Sequence, residues 1–466
     1  MKKILINTGL FLLMALVITS CNWIDEELNV DPDAPSDVPM EFLLPAIQAN
    51  LGYVGQGNDI VRTTNLWMQF YDGEDRQSFT ETRYQLISAD VNNMWNDMYV
   101  RVLMNSQLLI KKASVEGAES PHFRGVAKVL TAVTLGIMTD IFGDIPYSDA
   151  FMGADGNTQA TYDSQSEIYS RIQILLTEAI NDLATADVDN AFALSGDMMF
   201  GDDVAAWSRA AYALKARYAM QLSKVNGNAA ATEALSYMAN AMTDNDGDLQ
   251  MYFSNDQKSP MFQFMDQRGD VFMASTFINM LNATADPRTS YYATDEGDGY
   301  VGSDPGTQGF EQGAISRPGE YTASVGSDIF FMTYAEQKFV EAEANLMLGN
   351  DGLALTAWQE AVAASVTRVV TDADDLIAAQ TWLDANINGV ATVTMEDVML
   401  QKYLANFGQS QPFADWRRTG YPNLSISSGA KLPAIPRRYP YSQNELDYNS
   451  SNVPSVLISQ SVWWDQ

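Results

Sequence analysis

Two residue types that often carry reaction chemistry occur once each in this 466-residue chain, as His122 and Cys21. A serine–histidine–carboxylate triad would have to use His122, yet no Gly-x-Ser-x-Gly elbow is present to hold a nucleophile. His122 follows Pro121 at the start of a helical pattern and reads as a surface group. One histidine and one cysteine are too few for the usual zinc ligand sets. A Gly-x-Gly-x-x-Gly pattern occurs at Gly297, Gly299 and Gly302. A dinucleotide site needs that pattern between a strand and a helix start, where backbone amides meet the pyrophosphate. Here an acidic run precedes it and Ser303-Asp304-Pro305-Gly306 follow, so it reads as a loop. No P-loop is present. With 59 carboxylates, a glycosidase pair stays open on sequence grounds. Asp244, Asp246 and Asp248 form a calcium candidate of poor fit. An EF-hand loop starting at Asp244 needs Gly and Glu where Leu249 and Asn255 stand. These residues predict a non-enzyme without a cofactor.

Position accounts for the lone cysteine. Lys2 and Lys3 head a mostly apolar run, Ile4 to Ile18, and small residues Thr19 and Ser20 follow. These are the parts of a secretory signal. The run is shorter than the roughly 20 apolar residues that a membrane span needs. Ile18-Thr19-Ser20-Cys21 resembles a bacterial lipobox, which makes residues 1–20 a lipoprotein signal and Cys21 the lipidated mature terminus. The acidic stretch Asn22-Trp23-Ile24-Asp25-Glu26-Glu27 is either an export mark of the kind seen in surface lipoproteins of the Bacteroidetes or a solvated tether. Residues 21–39 read as an extended lead-in, since three prolines fall between Asn29 and Pro39.

Removal of residues 1–20 takes Lys2 and Lys3 away, so the remainder carries −34 against −32 for the whole chain. That excess argues against nucleic acid, whose binding rests on cationic neutralisation of phosphate. No apolar run of spanning length follows residue 20, and no linker divides residues 40–466, which read as one helical body. Helical spacing of apolar residues predicts helices over about 39–51, 91–113, 122–142, 165–184, 203–225, 229–242, 328–348, 352–369 and 395–408. Ser36 or Asp37 is the predicted cap of the first, with Phe42, Leu43, Ala46, Ile47 and Leu51 buried. Asp90 is the predicted cap of the second. Short turns between neighbours suggest helical hairpins that look like irregular tetratricopeptide units. Two segments break the rhythm: 244–327, with one predicted helix at about 271–283, and the proline-rich 409–466.

Several stretches carry a family resemblance along nearly the whole mature chain. They are NVDPDAPSDVP (29–39), TDIFGDIPYSDA (139–150), YDSQ (162–165) before Ile168-Tyr169, Trp207 to Arg217, and Asp286-Pro287-Arg288. Further along come FMTYAE (331–336) with EAEA (341–344), WRRTGYP (416–422), and PRRYPYS (436–442) with Glu445 and Asn449. In this order they resemble the SusD/RagB family of nutrient-binding outer-membrane lipoproteins of the Bacteroidetes. The resemblance implies a mainly α fold of about four tetratricopeptide-like helix pairs plus a loop-rich ligand-binding half. It implies surface exposure, and a TonB-dependent barrel of the SusC type as partner, which receives captured oligosaccharide or, in some members, peptide. Glu336, Glu341 and Glu343 with Arg417 and Arg418 read as scaffold ion pairs.

Sugar recognition uses flat aromatic faces together with amide, carboxylate and guanidinium groups. Asn65, Trp67, Gln69, Tyr71, Asp72 and Arg76 supply that mixture in the stretch where the family commonly contributes contacts, and Trp95 with Asn92 and Asn93 follows. A second candidate set is Tyr291, Tyr292, Tyr300, Phe310, Arg317 and Tyr321. For Trp67 and Trp95 a core role stays equally open. The rival reading is a peptide-binding or mainly barrel-gating component. A groove lined by Asp and Glu would suit basic peptides or amino sugars.

Overall fold

In the computed structural model, residues 37–308 and 314–466 are described. Cys21, Ser36 and Phe310 lie outside them. Helix α1 (Met40–Asn50) runs on into a π-helical segment, Leu51–Gly57, and α2 (Asp59–Trp67) leads to strand β1 (Tyr71–Gly73) and α3 (Arg76–Thr82). Asn92–Asn96, Asp97–Leu103 and Met104–Lys112 form one continuous helix, α4, whose middle is π-helical. The chain continues through α5 (Pro121–Phe142), α6 (Gln165–Leu183), α7 (Val204–Gln221) and α8 (Asn228–Met238). An insert then carries β2 (Leu249–Met251), α9 (Pro260–Gln267), β3 (Val271–Met273), α10 (Ser275–Thr284) and β4 (Ile329–Met332). Helices α11 (Tyr334–Met347), α12 (Asp351–Val369), α13 (Ala373–Leu383), α14 (Met395–Ala405) and α15 (Gln411–Thr419) complete it.

Four helix pairs, α4/α5, α6/α7, α8/α11 and α12/α14, stack in chain order, each packing on the next. The insert enters between α8 and α11. Local chemistry sets the ends of the stacked helices. A capping box joins Ser164 to Glu167 at the start of α6, and another joins Thr394 to Asp397 at the start of α14. Gly143 ends α5 at φ 83°, a conformation that disfavours a Cβ. A Cβ at Gly136 would collide with the ring of Tyr218, so a glycine is what lets α5 and α7 approach. Helix α5 is long and apolar enough to cross a membrane, but 94% of its apolar window is buried inside the protein. Its apolar length serves a core surrounded by α4, α6 and α7.

Several expectations are corrected. The predicted helix at 328–348 starts only at Tyr334, because the buried run Ile329–Met332 pairs antiparallel with β2 and Thr333 caps the helix. Likewise Val271–Met273 pairs with β1, in the register Tyr71↔Met273, and α10 follows it. Pro39 precedes α1 and makes no side-chain cap, and Asp37 pairs with Lys112 instead. Val91 occupies the N-cap of α4, and Asp90 accepts from the Ile87 amide at 3.0 Å. Phe42 is exposed. His122 is buried, its Nε2 2.8 Å from the Thr185 carbonyl, because the α6–α7 connection folds over the start of α5.

The ion pairs also differ from the reading. Glu343 takes both terminal nitrogens of Arg418, but Glu336 takes Arg217, with Nε–Oε1 at 2.6 Å, and Glu341 takes Lys338 at 2.5 Å. Arg418 also reaches Asp415 at 3.0 Å, which Lys402 holds at 2.9 Å from the other side. Arg417 lies between the rings of Phe413 and Trp464, 4.0 and 4.6 Å from their centroids, and donates to the Arg437 carbonyl at 2.8 Å. The terminal segment is thereby fastened onto α5, α6 and α15. Asp140 accepts from the Tyr169 hydroxyl (2.5 Å) and from Trp464 Nε1 (3.1 Å), and burial, opposed by Arg417, pushes its carboxyl up to about 6.

Candidate functional site

Most residues nominated from sequence hold the scaffold. Trp67 is fully buried, edge-on to Phe413 at 5.5 Å and Tyr439 at 5.0 Å, and its Nε1 donates to the Glu81 carbonyl at 3.0 Å. Asn65 is buried too, donating to the Gln409 carbonyl (2.8 Å) and accepting from the Gly408 amide (3.2 Å). Gln69 bridges Ser425 and Thr276. The Tyr71 ring packs edge-on to Phe407 at 5.4 Å. Asp72 accepts from Thr82, from Ser303 (2.7 Å) and from the Gly306 amide (2.7 Å), which pins the 303–306 loop to β1. Burial raises its carboxyl pKa, and these donors oppose the shift. Trp95 stands edge-on to Phe142 (4.9 Å) and Tyr441 (6.1 Å). These side chains are core, because segments several hundred residues away close over them.

The second set is mixed. Tyr292 is buried and donates to the Leu404 carbonyl at 3.1 Å, while Tyr291 donates to Asp375 at 3.0 Å. Tyr321 stacks on Phe330 at 6.0 Å, and Arg317 lies 4.7 Å over Phe272. Tyr300 is half-buried and its carbonyl accepts from Asn282 at 3.0 Å. The glycine pattern is a loop as read, the Gly297 and Gly299 amides both bonding Asp295. Among the described residues no three His, Cys, Asp or Glu side chains converge on a metal-sized site. Of the calcium candidate, Asp248 turns inward to the Tyr334 amide (2.6 Å) and Arg368 (3.7 Å).

Arg76 does not line a ligand-sized cleft but stands next to one, which its chain neighbour Gln77 lines. Its guanidinium is half exposed and pairs with buried Asp270 at 3.0 Å, and Arg268 reaches the other oxygen of Asp270 at 4.0 Å. Arg268 in turn lines a cleft of about 330 Å³ between the Leu51–Gly57 segment with α2 on one side and α9 on the other. That volume is within the range of small-molecule sites. The Tyr53 ring is half-buried on one wall. Its hydroxyl donates to the Lys258 carbonyl (2.9 Å) and accepts from Gln263 Nε2 (2.6 Å), which fixes the ring. The floor is Arg62, 4.8 Å over the Phe264 ring, bonded to Asn58 (2.8 Å) and paired with Glu81 at 3.4 Å. Burial works against the Arg62 charge, but Glu81 and Asp59 outweigh it and hold its pKa above the ordinary value. Gln77 braces Glu81 at 2.8 Å, and Gln267 and Arg268 stand exposed at the rim.

The cleft therefore offers the Tyr53 ring and a Phe264 ring already covered by Arg62, with four carboxamides, two guanidiniums and a single carboxylate, Asp59. Such groups bind hydroxyls and acyl oxygens through geometry, without a nucleophile and base in reach of each other. Sequence reasoning missed it. The Pro260 helix start and the polar Gln263/Gln267 spacing of α9 were the available signals, hidden inside a segment read as irregular.

The profile of the SusD-like family, described as starch-binding and associating with the outer membrane, matches residues 32–442. A SusD/RagB family protein from Bacteroides thetaiotaomicron is 24% identical, with a TM-score of 0.73 over 92% of this chain and 99% of that one. A chitin-binding SusD homolog from Flavobacterium johnsoniae is 23% identical, with a TM-score of 0.74 over 92% and 97%. Another solved chitin-binding protein is 22% identical, with a TM-score of 0.76 over 92% and 100%. No protein of curated function matches. With a profile match over most of its length and the same stacked-helix body, the chain belongs to the SusD-like family.

Proposed function

We propose that this protein is a binding component of a nutrient importer, which captures an oligosaccharide in the Tyr53–Arg268 cleft and passes it to a SusC-type TonB-dependent barrel. Cys21 carries the lipid anchor, residues 21–39 form the tether, and the body faces the cell exterior. The observation that carries this reading is the cleft lining: a braced tyrosine face beside Asn58, Gln77, Gln263 and Gln267. A tyrosine face takes the C–H side of a sugar ring and the carboxamides pair with its hydroxyls. Nothing in that arrangement performs a reaction, so the role is binding. Basic peptides or amino sugars would call for an acidic groove, and the cleft holds two arginines against one aspartate.

Calorimetric titration of the unlipidated body, residues 22–466, tests this with neutral, acidic and amino-sugar oligosaccharides and mixed peptides. Saturable binding of a neutral glycan is expected. Tyr53→Ala should weaken it at least tenfold, and Gln267→Ala about threefold. Binding of peptides alone would overturn the proposal, as would glycan binding that is indifferent to Tyr53→Ala.

A further inference from the structure

The chain enters the described body beside a hollow of about 700 Å³ whose lining is largely apolar. Buried Phe123 of α5 contributes to it, with Met40 at the start of α1, Val115 just after α4, and Phe192 in the α6–α7 connection. Val115 and Phe192 are 53% and 58% exposed. The backbone that carries Phe192 is fastened on both sides. The Ala191 amide donates to the Glu119 carbonyl at 2.8 Å, and the Phe192 amide donates to the Ser120 hydroxyl at 3.2 Å. Asn190 accepts from the His122 amide at 2.9 Å. An aromatic ring held out to water by an anchored backbone, above an apolar hollow, marks a contact surface.

Chain geometry and sequence pattern indicate what covers it. Asp37, where the described body begins, and Lys112 both line the hollow and pair with each other, so the chain arrives at its edge. The residues just before it alternate: Leu28, Val30, Pro32 and Ala34 are apolar, and Asn29, Asp31 and Asp33 between them are polar. In an extended chain alternate side chains share a face, so this stretch has one apolar side and one polar side. Pro32 and Pro35 disfavour a helix, and without N–H groups they leave no donor stranded against an apolar wall. Ala34 is three residues from Asp37, a reach of about 10 Å, and Leu28 is nine, about 32 Å. A segment attached this closely acts at an effective concentration on the order of millimolar, which favours it over any separate partner.

We propose that residues 28–34 of this chain lie extended across the hollow, with Leu28, Val30, Pro32 and Ala34 against its apolar lining and Asn29, Asp31 and Asp33 in water. Half of the tether then belongs to the body. Only residues 21–27 link that body to Cys21, a span of at most about 25 Å against about 55 Å for residues 21–36. The hollow thereby sets how far the body stands from the membrane and which face it turns there. That consequence rests on Cys21 carrying the anchor, as read above, and the contact itself does not.

Disulfide trapping in the full-length chain, in its own membrane, tests it. Cys21 is the sole native cysteine, so Ala193→Cys, at an exposed position lining the hollow, is combined in turn with Val30→Cys and with Asp31→Cys. The Val30 pair should close within one chain at least tenfold faster than the Asp31 pair, because neighbours in an extended segment face opposite ways. Asp31 is the nearer of the two along the chain, so a tether that only drifts past the hollow joins both at similar rates. Equal rates, a faster Asp31 pair, links only between two copies, or no link at all would overturn the proposal. Adding Leu28→Asp should slow closure of the Val30 pair at least fivefold, and an unchanged rate would count against it in the same way. These positions lie on the surface or ahead of the described body, so the fold tolerates the changes. If Cys21 itself joins a new thiol while the preference for Val30 persists, the contact stands and the short tether falls.

Discussion

The stacked helices α4 to α8 and α11 to α14 and the cleft between α2 and α9 use polar residues in opposite ways. In the stack and in α15, which packs on it, charged groups are consumed: Arg217 by Glu336, Arg418 by Glu343 and Asp415, Lys402 by Asp415, all buried. At the cleft Arg62 is itself buried and paired with Glu81, but Tyr53 is braced and half-buried, and Gln267 and Arg268 stay exposed at the rim. A buried pair that satisfies itself locks one arrangement of the chain. A braced group with spare hydrogen-bonding capacity waits for a ligand. The motifs that carry the family resemblance fall mostly on the locked side.

That contrast breaks most visibly at Arg418. Arg418→Ala strands Glu343 inside the protein, leaves Asp415 to Lys402 alone, and should cost about 3–5 kcal/mol, read from the urea midpoint. Trp67→Ala belongs with it at about 3–5 kcal/mol, by loss of a fully buried ring. A purely local effect of Trp67→Ala on ligand affinity, at unchanged stability, would return that residue to the site. Next in size is a pH effect. The Asp140 carboxyl is raised to about 6, so the folded state holds its proton more tightly than the unfolded chain. Its contribution to stability is complete below about pH 4 and lost as pH rises through 6. Asp140→Asn keeps an acceptor for Tyr169 and Trp464, and should lessen the fall in stability between pH 4 and 7 by about 3 kcal/mol. Equal slopes in both proteins would remove the titration from the stack. At the small end, Gln267→Ala should leave stability within about 0.5 kcal/mol, as expected for an exposed side chain. A larger loss would move it from the rim to the scaffold.

The helical body was largely legible because periodic apolar spacing is a local signal. Ile168, Ile172, Leu175, Leu176 and Ala179 read as one stripe of α6 and are buried as one. Strand β4 was misread because four consecutive apolar residues fit a buried helix as well as a buried strand, and only pairing with β2, some 80 residues earlier, decides between them. The cleft was the least legible part. Tyr53 and Gln263 meet across more than 200 positions, and nothing near either residue announces the other.

By itself the sequence determined the mainly helical class, the stretches that form its principal helices, the absence of triad, zinc and dinucleotide motifs, and a family likeness. These follow from residue type and short-range spacing, which the backbone converts directly into local structure. Only the tertiary structure decided that Trp67, Tyr71 and Trp95 are core, that Glu336 belongs to Arg217, and that the accessible polar cluster sits at Tyr53, Gln267 and Arg268. Burial is a property of what packs over a residue. For these side chains the covering groups come from segments far along the chain.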